Sequence, residues 1–304
     1  MTAPATAPPT TEPGLAVPVT RPGPRRPRLR GDQLRARVGA WIAIAVIAGF
    51  GLFPMCWMVL TALRPDPEAF QFPPKLLPDE ITLEHFTAFA RNEQLLGYLV
   101  NSVVVSVITA LLSVVVSAFM GYSFSKFRYR GRRSLMYLVL ASQMFPHALL
   151  LITLYAMFSV YGLLNTYTGL VLSFTAFTLP LCVWILKSFF DTIPDSVLEA
   201  AAIDGASRWR VLISIVLPLA KPGLIAAGLF AFVRGWNDFI FALTLAGPDK
   251  QTLPPGLVNT YLGEFQTSWP DLMAASLIVS TPVVIAFIAL QRFLVGGVTG
   301  AVKA

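Results

Sequence analysis

Apolar side chains in this chain do not alternate with polar ones; they gather into long unbroken runs. A surface helix would carry an apolar stripe at every third or fourth residue, and a membrane strand would alternate every second residue. Residues 40–50 do neither. A hydrocarbon core of about 30 Å needs roughly 20 apolar residues of helix. Six stretches qualify: 38–63, 99–124, 135–160, 167–186, 222–246 and 272–295. The pattern predicts an all-α, polytopic membrane protein with six transmembrane helices.

Composition agrees. Of the 304 residues, 55% are hydrophobic and 13% are charged, against about 25% charged in soluble domains. Cys56 and Cys182 both lie inside apolar runs, which reads as small buried side chains rather than a disulfide framework. Lys and Arg set orientation. With the amino terminus in the cytoplasm, 18 of the 23 cations fall on the inner side, four fall outside, and Arg234 lies within a span. Both termini are then cytoplasmic. The net charge of +7 follows from topology and contact with anionic lipid, and calls for no nucleic acid.

The chain divides into a tail, 1–37, and a transmembrane domain, 38–304. Residues 1–30 hold eight prolines and an Arg cluster, a composition that predicts disorder. The first apolar run is too long for a cleaved signal peptide, so it is expected to be a retained span. The outer segment 64–97 is Pro-rich and acidic, and a short helix is expected near 83–90. No internal repeat is evident.

The chemistry of an enzyme is missing. There is no phosphate-cradling G-x-x-x-x-G-K-[ST] loop, no H-E-x-x-H, no paired Cys-x-x-Cys and no G-x-S-x-G. The chain holds two histidines, His85 and His147. The expectation is a non-catalytic chain with no cofactor and no metal site.

Residues 191–218, between the fourth and fifth runs, carry a helical grammar of their own. Pro194 suits the first position of a helix, and Asp195 and Glu199 favour its positive end. Ala200, Ala201 and Ala202 are the strongest helix formers. Gly205 stops the helix, because glycine takes a left-handed conformation freely. Ser207 then caps a second helix whose Trp209, Leu212, Ile213 and Val216 form one apolar stripe, and Pro218 ends it. The product is a helix–Gly–helix hairpin on the cytoplasmic face. It either covers the bundle or docks into a groove of a partner.

The motif Glu199-Ala-Ala-x-x-Asp204-Gly205-Ala206, with Leu217-Pro218 after it, resembles the EAA loop of binding-protein-dependent ABC importer permeases. Gln143-Met-Phe-Pro146, Gly162-Leu-Leu-Asn165, Asn237-Asp238-Phe239 and the stretch from Gln291 to Thr299 are similar to the sugar-importing subgroup, which includes the smaller maltose-permease subunit. The resemblance implies a bacterial inner-membrane, multi-pass subunit that works with a dimer of cytoplasmic ABC ATPases, a second permease subunit as a heterodimer, and an extracytoplasmic solute-binding protein. It implies import of a carbohydrate, with a polyol, a glycerol phosphoester or another small polar solute as alternatives and an ion-coupled carrier as a remoter one. It also implies that Glu199, Ala200, Ala201, Asp204, Gly205 and Ala206 couple the permease to the ATPase.

Polar residues inside the spans are expensive and therefore informative. Arg234 and Asp238 are one helical turn apart in the fifth run, placed to pair on one face. They read either as a structural ion pair or, with Asn237 and the rings of Trp236 and Phe239, as a border of the solute path. Gln143 and His147 straddle Pro146, which is expected to kink the third span and free carbonyls for a water-lined path. Asn101 and Ser102 are expected to cap the second span.

Overall fold

The computed structural model describes residues 30–73, 75–262 and 268–301, with side chains followed from 35 to 291. The tail at 1–29 and the side chains of 292–299 lie outside the described residues. Two compact units are present, one up to Pro54 and one from Met55 onward.

Among the described residues the regular structure is helical. In order the helices are α1 (Arg30–Ala62), α2 (Asp66–Ala69), α3 (Glu84–Arg91), α4 (Glu93–Lys126), α5 (Arg132–Ala141), α6 (His147–Val160), α7 (Tyr167–Asp191), α8 (Asp195–Ile203), α9 (Arg208–Val211), α10 (Leu217–Leu219), α11 (Lys221–Trp236), α12 (Ile240–Leu245), α13 (Leu253–Tyr261) and α14 (Trp269–Ala301). Four of them, α1, α4, α7 and α14, are long and apolar enough to cross a membrane. The number rises to six if two bent pairs each count as one span. The α3 helix falls where the outer segment was expected to fold.

The centre of the larger unit is α4 packed on α7 and α11. The contact face of α4 explains the closeness. Ser102, Ser106, Thr109, Ser113, Ser117 and Gly121 recur at three- and four-residue spacing and all are buried. Small residues let helix backbones approach where lipid offers no hydrophobic driving force. Ser113 and Thr178 hydroxyls meet across the interface at 2.7 Å. A Cβ on Gly223 would stand 2.6 Å from the Phe189 ring, so α11 and α7 touch only because that side chain is absent.

Two expectations about the spans are corrected and one is met. The second helix begins at Glu93, capped by the Asn92 side chain, which accepts from the amides of Gln94 and Leu95. Asn101 and Ser102 are therefore interior residues, not caps. Asn101 donates to the carbonyls of Asp249 and Gln251 and accepts from the Tyr167 hydroxyl, while the Ser102 hydroxyl accepts from the Leu253 amide. They latch the chain after α12 to the bundle. The third run is bent at Pro146 as expected, by 95° between 132–144 and 147–160. The missing Pro146 N–H and its ring open the ladder there. The fifth run is interrupted: α11 ends at Trp236 and α12 starts at Ile240.

At the other end, His85 is buried with Nδ1 at 2.7 Å from the Asp271 carboxylate and Nε2 at 2.8 Å from the Arg64 carbonyl. Both partners accept, so the ring donates from both nitrogens and is held as the imidazolium. Burial opposes that charge, but the bonds to Asp271 and Arg64 and the charges of Asp271 and Asp66 outweigh it and raise the pKa. This clasp joins α3 to the start of α14.

Candidate functional site

The hairpin forms where its local signals place it. Pro194 is the cap of α8 rather than its first residue, one position earlier than expected. Gly205 has φ +77°, the left-handed region that disfavours every side chain except glycine's. Amides of Gly205 and Ala206 return to the carbonyls of Ala202 and Ala201, which closes the helix end. The Ser207 hydroxyl accepts from the Arg210 amide, as a cap should.

The second limb departs from the expected stripe. A π-turn over Leu212–Val216 follows α9. Pro218 has no N–H to donate back into this stretch, and a wider turn relieves the crowding. The apolar face rotates with it: Val211, Leu212 and Val216 are buried, whereas Trp209 and Ile213 are exposed. The 3.6-residue period failed because the helix is not an α-helix throughout. Pro218 also does not end the element; α10 runs to Leu219, and α11 leaves at 79°.

The hairpin is fastened to the ends of α4 and α7. Lys126, with a side chain 7% exposed, donates to the Ile193 carbonyl at 2.6 Å and to the Asp195 carboxylate at 2.9 Å. That hydrogen bond and charge hold the Asp195 carboxyl below its ordinary pKa. Asp191 accepts from Ser125 and from Lys187. Below this anchorage Ala201 is buried against a cluster that includes Tyr122, Leu186, Phe190 and Ile193. Ala206 packs on the same cluster at its margin. Glu199, Ala200, Asp204 and Gly205 are exposed. Glu199 and Asp204 have no ion pair among the described residues.

Two residues of this site were missed in the sequence. Lys126 looked like one more inner-face cation, yet it is the anchor. Ile203 is 86% exposed at the tip, where an isolated apolar side chain earns nothing from water. Its signal was legible: it lies off the face that carries Leu198 and Ala201.

A second arrangement sits where two helix interruptions face each other. The start of α6 and the break after α11 enclose a cavity of about 310 Å³ lined by His147, Arg234, Asn237, Asp238 and Phe239, with Phe241 also on its wall. A smaller pocket of about 30 Å³ adjoins it, sharing His147, Arg234 and Asp238. Arg234 and Asn237 are exposed. Asp238 is not the ion-pair partner expected for Arg234: among the described residues no ion pair joins them. Its Oδ1 accepts from the amides of Phe241 at 3.0 Å and Ala242 at 3.1 Å, so the carboxylate caps α12. The helical turn assumed between the two residues does not exist, because α11 has already ended.

Trp236 does not border this cavity either. It is 2% exposed, stacked on Phe232 inside a cluster with Leu95 and Tyr98. Gln143 does not line the cavity. Its amide donates to the Phe177 carbonyl at 2.8 Å and ties the bend to α7. His147 meets the edge of Phe177 at 4.8 Å between ring centroids. Asn165, at φ +54°, accepts from the Gly247 amide and donates its own to Leu245, which fixes the far end of α12.

Residues 113–300 match the family described as binding-protein-dependent transport system inner membrane component. The chain is 35% identical over 272 residues to the inner membrane ABC transporter permease protein YcjP of Escherichia coli, covering 88% of this chain and 97% of that protein. It is 33% identical to the trehalose/maltose transport system permease protein MalG of Thermococcus litoralis, over 90% and 99% of the two chains. It is 34% identical to the sulfoquinovosyl glycerol transport system permease protein SmoH of Agrobacterium fabrum, over 85% and 91%. In fold it is similar to a chain of a bacterial ABC transporter that imports the acidic polysaccharide alginate, with TM-score 0.74 and 22% identity over 86% and 97%.

Proposed function

The chain belongs to the inner membrane components of binding-protein-dependent ABC transport systems, and on that premise we propose that it imports a carbohydrate through a path bordered by Arg234 and Asn237. It is a transport subunit, not an enzyme; ATP is hydrolysed by a partner chain. Relatives named for trehalose, maltose and a sulfoquinovosyl glycoside support a sugar over an unrelated solute. Six spans follow if each bent pair, 132–144 with 147–160 and 208–219 with 221–236, counts as one. At about 1.5 Å per residue the 16 residues of α11 reach only about 24 Å, short of the hydrocarbon core. The Lys and Arg bias supports cytoplasmic termini and an inner-membrane location. Residues 1–37 then form a cytoplasmic tail and 38–304 the permease domain. A second permease subunit completes a heterodimer with a solute-binding protein outside.

The observation that carries the coupling role is the hairpin's two-sidedness. Ala201 and Val211 are packed inward and Lys126 pins the base, while Glu199, Ala200, Asp204, Gly205 and Ile203 are exposed, and among the described residues the two carboxylates form no ion pair. A rigid projection with small residues, an apolar tip and unpaired carboxylates is built to enter a cleft carrying cations. Force applied there passes through Lys126 to α4 and through the π-turn to α11, which ends at the solute cavity. Replacing Ile203 by cysteine and crosslinking in membranes tests this. The expected product joins the permease to its ATPase and disappears when the ATPase is absent. Efficient uptake with no such product would remove the hairpin from coupling.

The cavity residues divide by role. Arg234 and Asn237 offer six or more donors and an acceptor to hydroxyl groups. Asp238 holds the break open as a cap, Gln143 holds the bend, and His147 walls the cavity. Interrupted helices facing each other at membrane depth are tolerated only where they are buried in protein or line a cavity.

A further inference from the structure

The turn between α4 and α5 lies outside the coupling hairpin and the solute cavity, and it contains a cavity of its own. About 540 Å³ is lined by Arg128, Arg130, Arg132 and Arg133 together with Tyr129 and Ser134. Gly131, at φ +84°, turns the chain so that the arginines before and after it face one space. Arg132 is structural: its Nη1 donates to the carbonyls of Phe127 at 2.9 Å and Ser125 at 3.3 Å, fixing the turn against the end of α4. Arg128, Arg130 and Arg133 also line the cavity, and the Arg128 charge acts on Asp195 as well. Among the described residues no carboxylate lies within ion-pair distance of any of the four.

Like charges held together without a counter-ion repel, and a guanidinium prefers to satisfy its fork of donors on a bidentate oxyanion. We infer that this cavity binds the phosphate of an anionic phospholipid headgroup. The neighbouring turn of α5 decides between a lipid and a free anion. Leu135, Tyr137 and Leu138 are exposed directly beyond the arginines. A cationic bowl followed along the chain by an exposed apolar stretch of α5 matches a molecule with a charged head and acyl tails; inorganic phosphate or an acidic protein segment would leave that stretch unused. Tyr129 and Tyr137 belong at the headgroup level, where tyrosine is enriched. Only the placement at the inner leaflet rests on the proposed orientation. Headgroup binding does not, so its measurement stands apart from that reading.

The test uses the intact transporter complex in detergent, offered equal amounts of phosphatidylglycerol and phosphatidylcholine with the same acyl chains, and reads retained lipid by native mass spectrometry. Phosphatidylglycerol is expected to be retained in preference. The double variant Arg130→Gln/Arg133→Gln should hold it about thirtyfold more weakly, at the usual worth of two surface cations. Arg130→Lys/Arg133→Lys preserves the charge bias that sets topology and should fall between, because ammonium lacks the fork. Equal retention of the two lipids by the unaltered complex would overturn the inference, as would variants that retain phosphatidylglycerol unchanged. Displacement by inorganic phosphate at equal concentration would make it a free-anion site instead. Loss of ATPase activity in the double variant with lipid retention intact would mark a protein-facing surface and equally overturn it.

Discussion

The hairpin at 191–218 and the break at 237–239 both stop one helix and start another, by opposite means. The hairpin stops with glycine in a left-handed conformation and restarts with a serine cap, signals that lie within three residues of the turn. The break has neither glycine nor proline at 237–239. It stands because the Asp238 carboxylate takes two amides of α12 and because the latches from Asn101, Ser102 and Asn165 hold the chain beyond it. A turn facing water has its spare backbone groups satisfied by solvent, so local residues suffice. An interruption at membrane depth must have those groups satisfied by the protein itself. The difference teaches that the two functional regions fail differently under mutation.

The largest effect is expected at the turn. Gly205→Val places a β-branched residue at φ +77°, where even a simple side chain costs about 1–2 kcal/mol. Nothing lies within 4 Å of the new Cβ, so the injury is to backbone geometry alone. Insertion should persist while solute-stimulated ATPase activity and uptake are abolished; uptake at the original rate would break the comparison at its coupling end. Next is Arg234→Met. A hydrogen bond to a charged group contributes about 1.5–3 kcal/mol, so uptake should fall by roughly tenfold or more, with the thermal unfolding midpoint unchanged. A lowered midpoint with normal uptake would make Arg234 structural.

A pair of substitutions at Asp238 sharpens the reading further. Asn retains the acceptor for the amides of Phe241 and Ala242, so Asp238→Asn should keep both folding and uptake. Asp238→Ala removes the cap, worth about 0.5–2 kcal/mol, and should lower both. Loss of uptake in the Asn variant with stability intact would place the charge itself in the solute path.

The smallest effect is expected at the outer clasp, and it carries a sign. The His85 pKa is raised above 6.5, so the clasp's contribution to stability is complete below that value. It is lost as the pH climbs through the folded-state value. The unfolding midpoint of the solubilised protein should therefore be level at mildly acid pH and decline toward alkaline pH, and Asp271→Asn should flatten the decline. A midpoint that rises through the same range would contradict the imidazolium.

Much of this protein was legible in its residues. The long apolar runs gave the helices, Pro146 gave the bend, and the hairpin's Pro194, Gly205 and Ser207 gave its ends within a residue. The candidate coupling residues came as a group from the resemblance to the EAA loop. The charged residues of the α6–α11 cavity were conspicuous by type, since a charge inside an apolar run stands out, but their relations were not. Arg234 and Asp238 looked like partners because spacing assumes a continuous helix. Trp236 looked like a binding ring because spacing says nothing of burial. Lys126 went unnoticed because its place as the anchor comes from what stands beside it.

Local physics, then, decided where the chain is helical and where solvent-exposed helices end: helix length in lipid, glycine's freedom and a hydroxyl cap depend on residues a turn or less apart. The tertiary fold decided that α11 breaks before Asp238, that Asn101 latches a loop about 150 residues away, and that His85 carries a proton opposite Asp271, 186 residues on. Those outcomes depend on which groups satisfy one another's hydrogen bonds and charges across the bundle, and no local spacing encodes that.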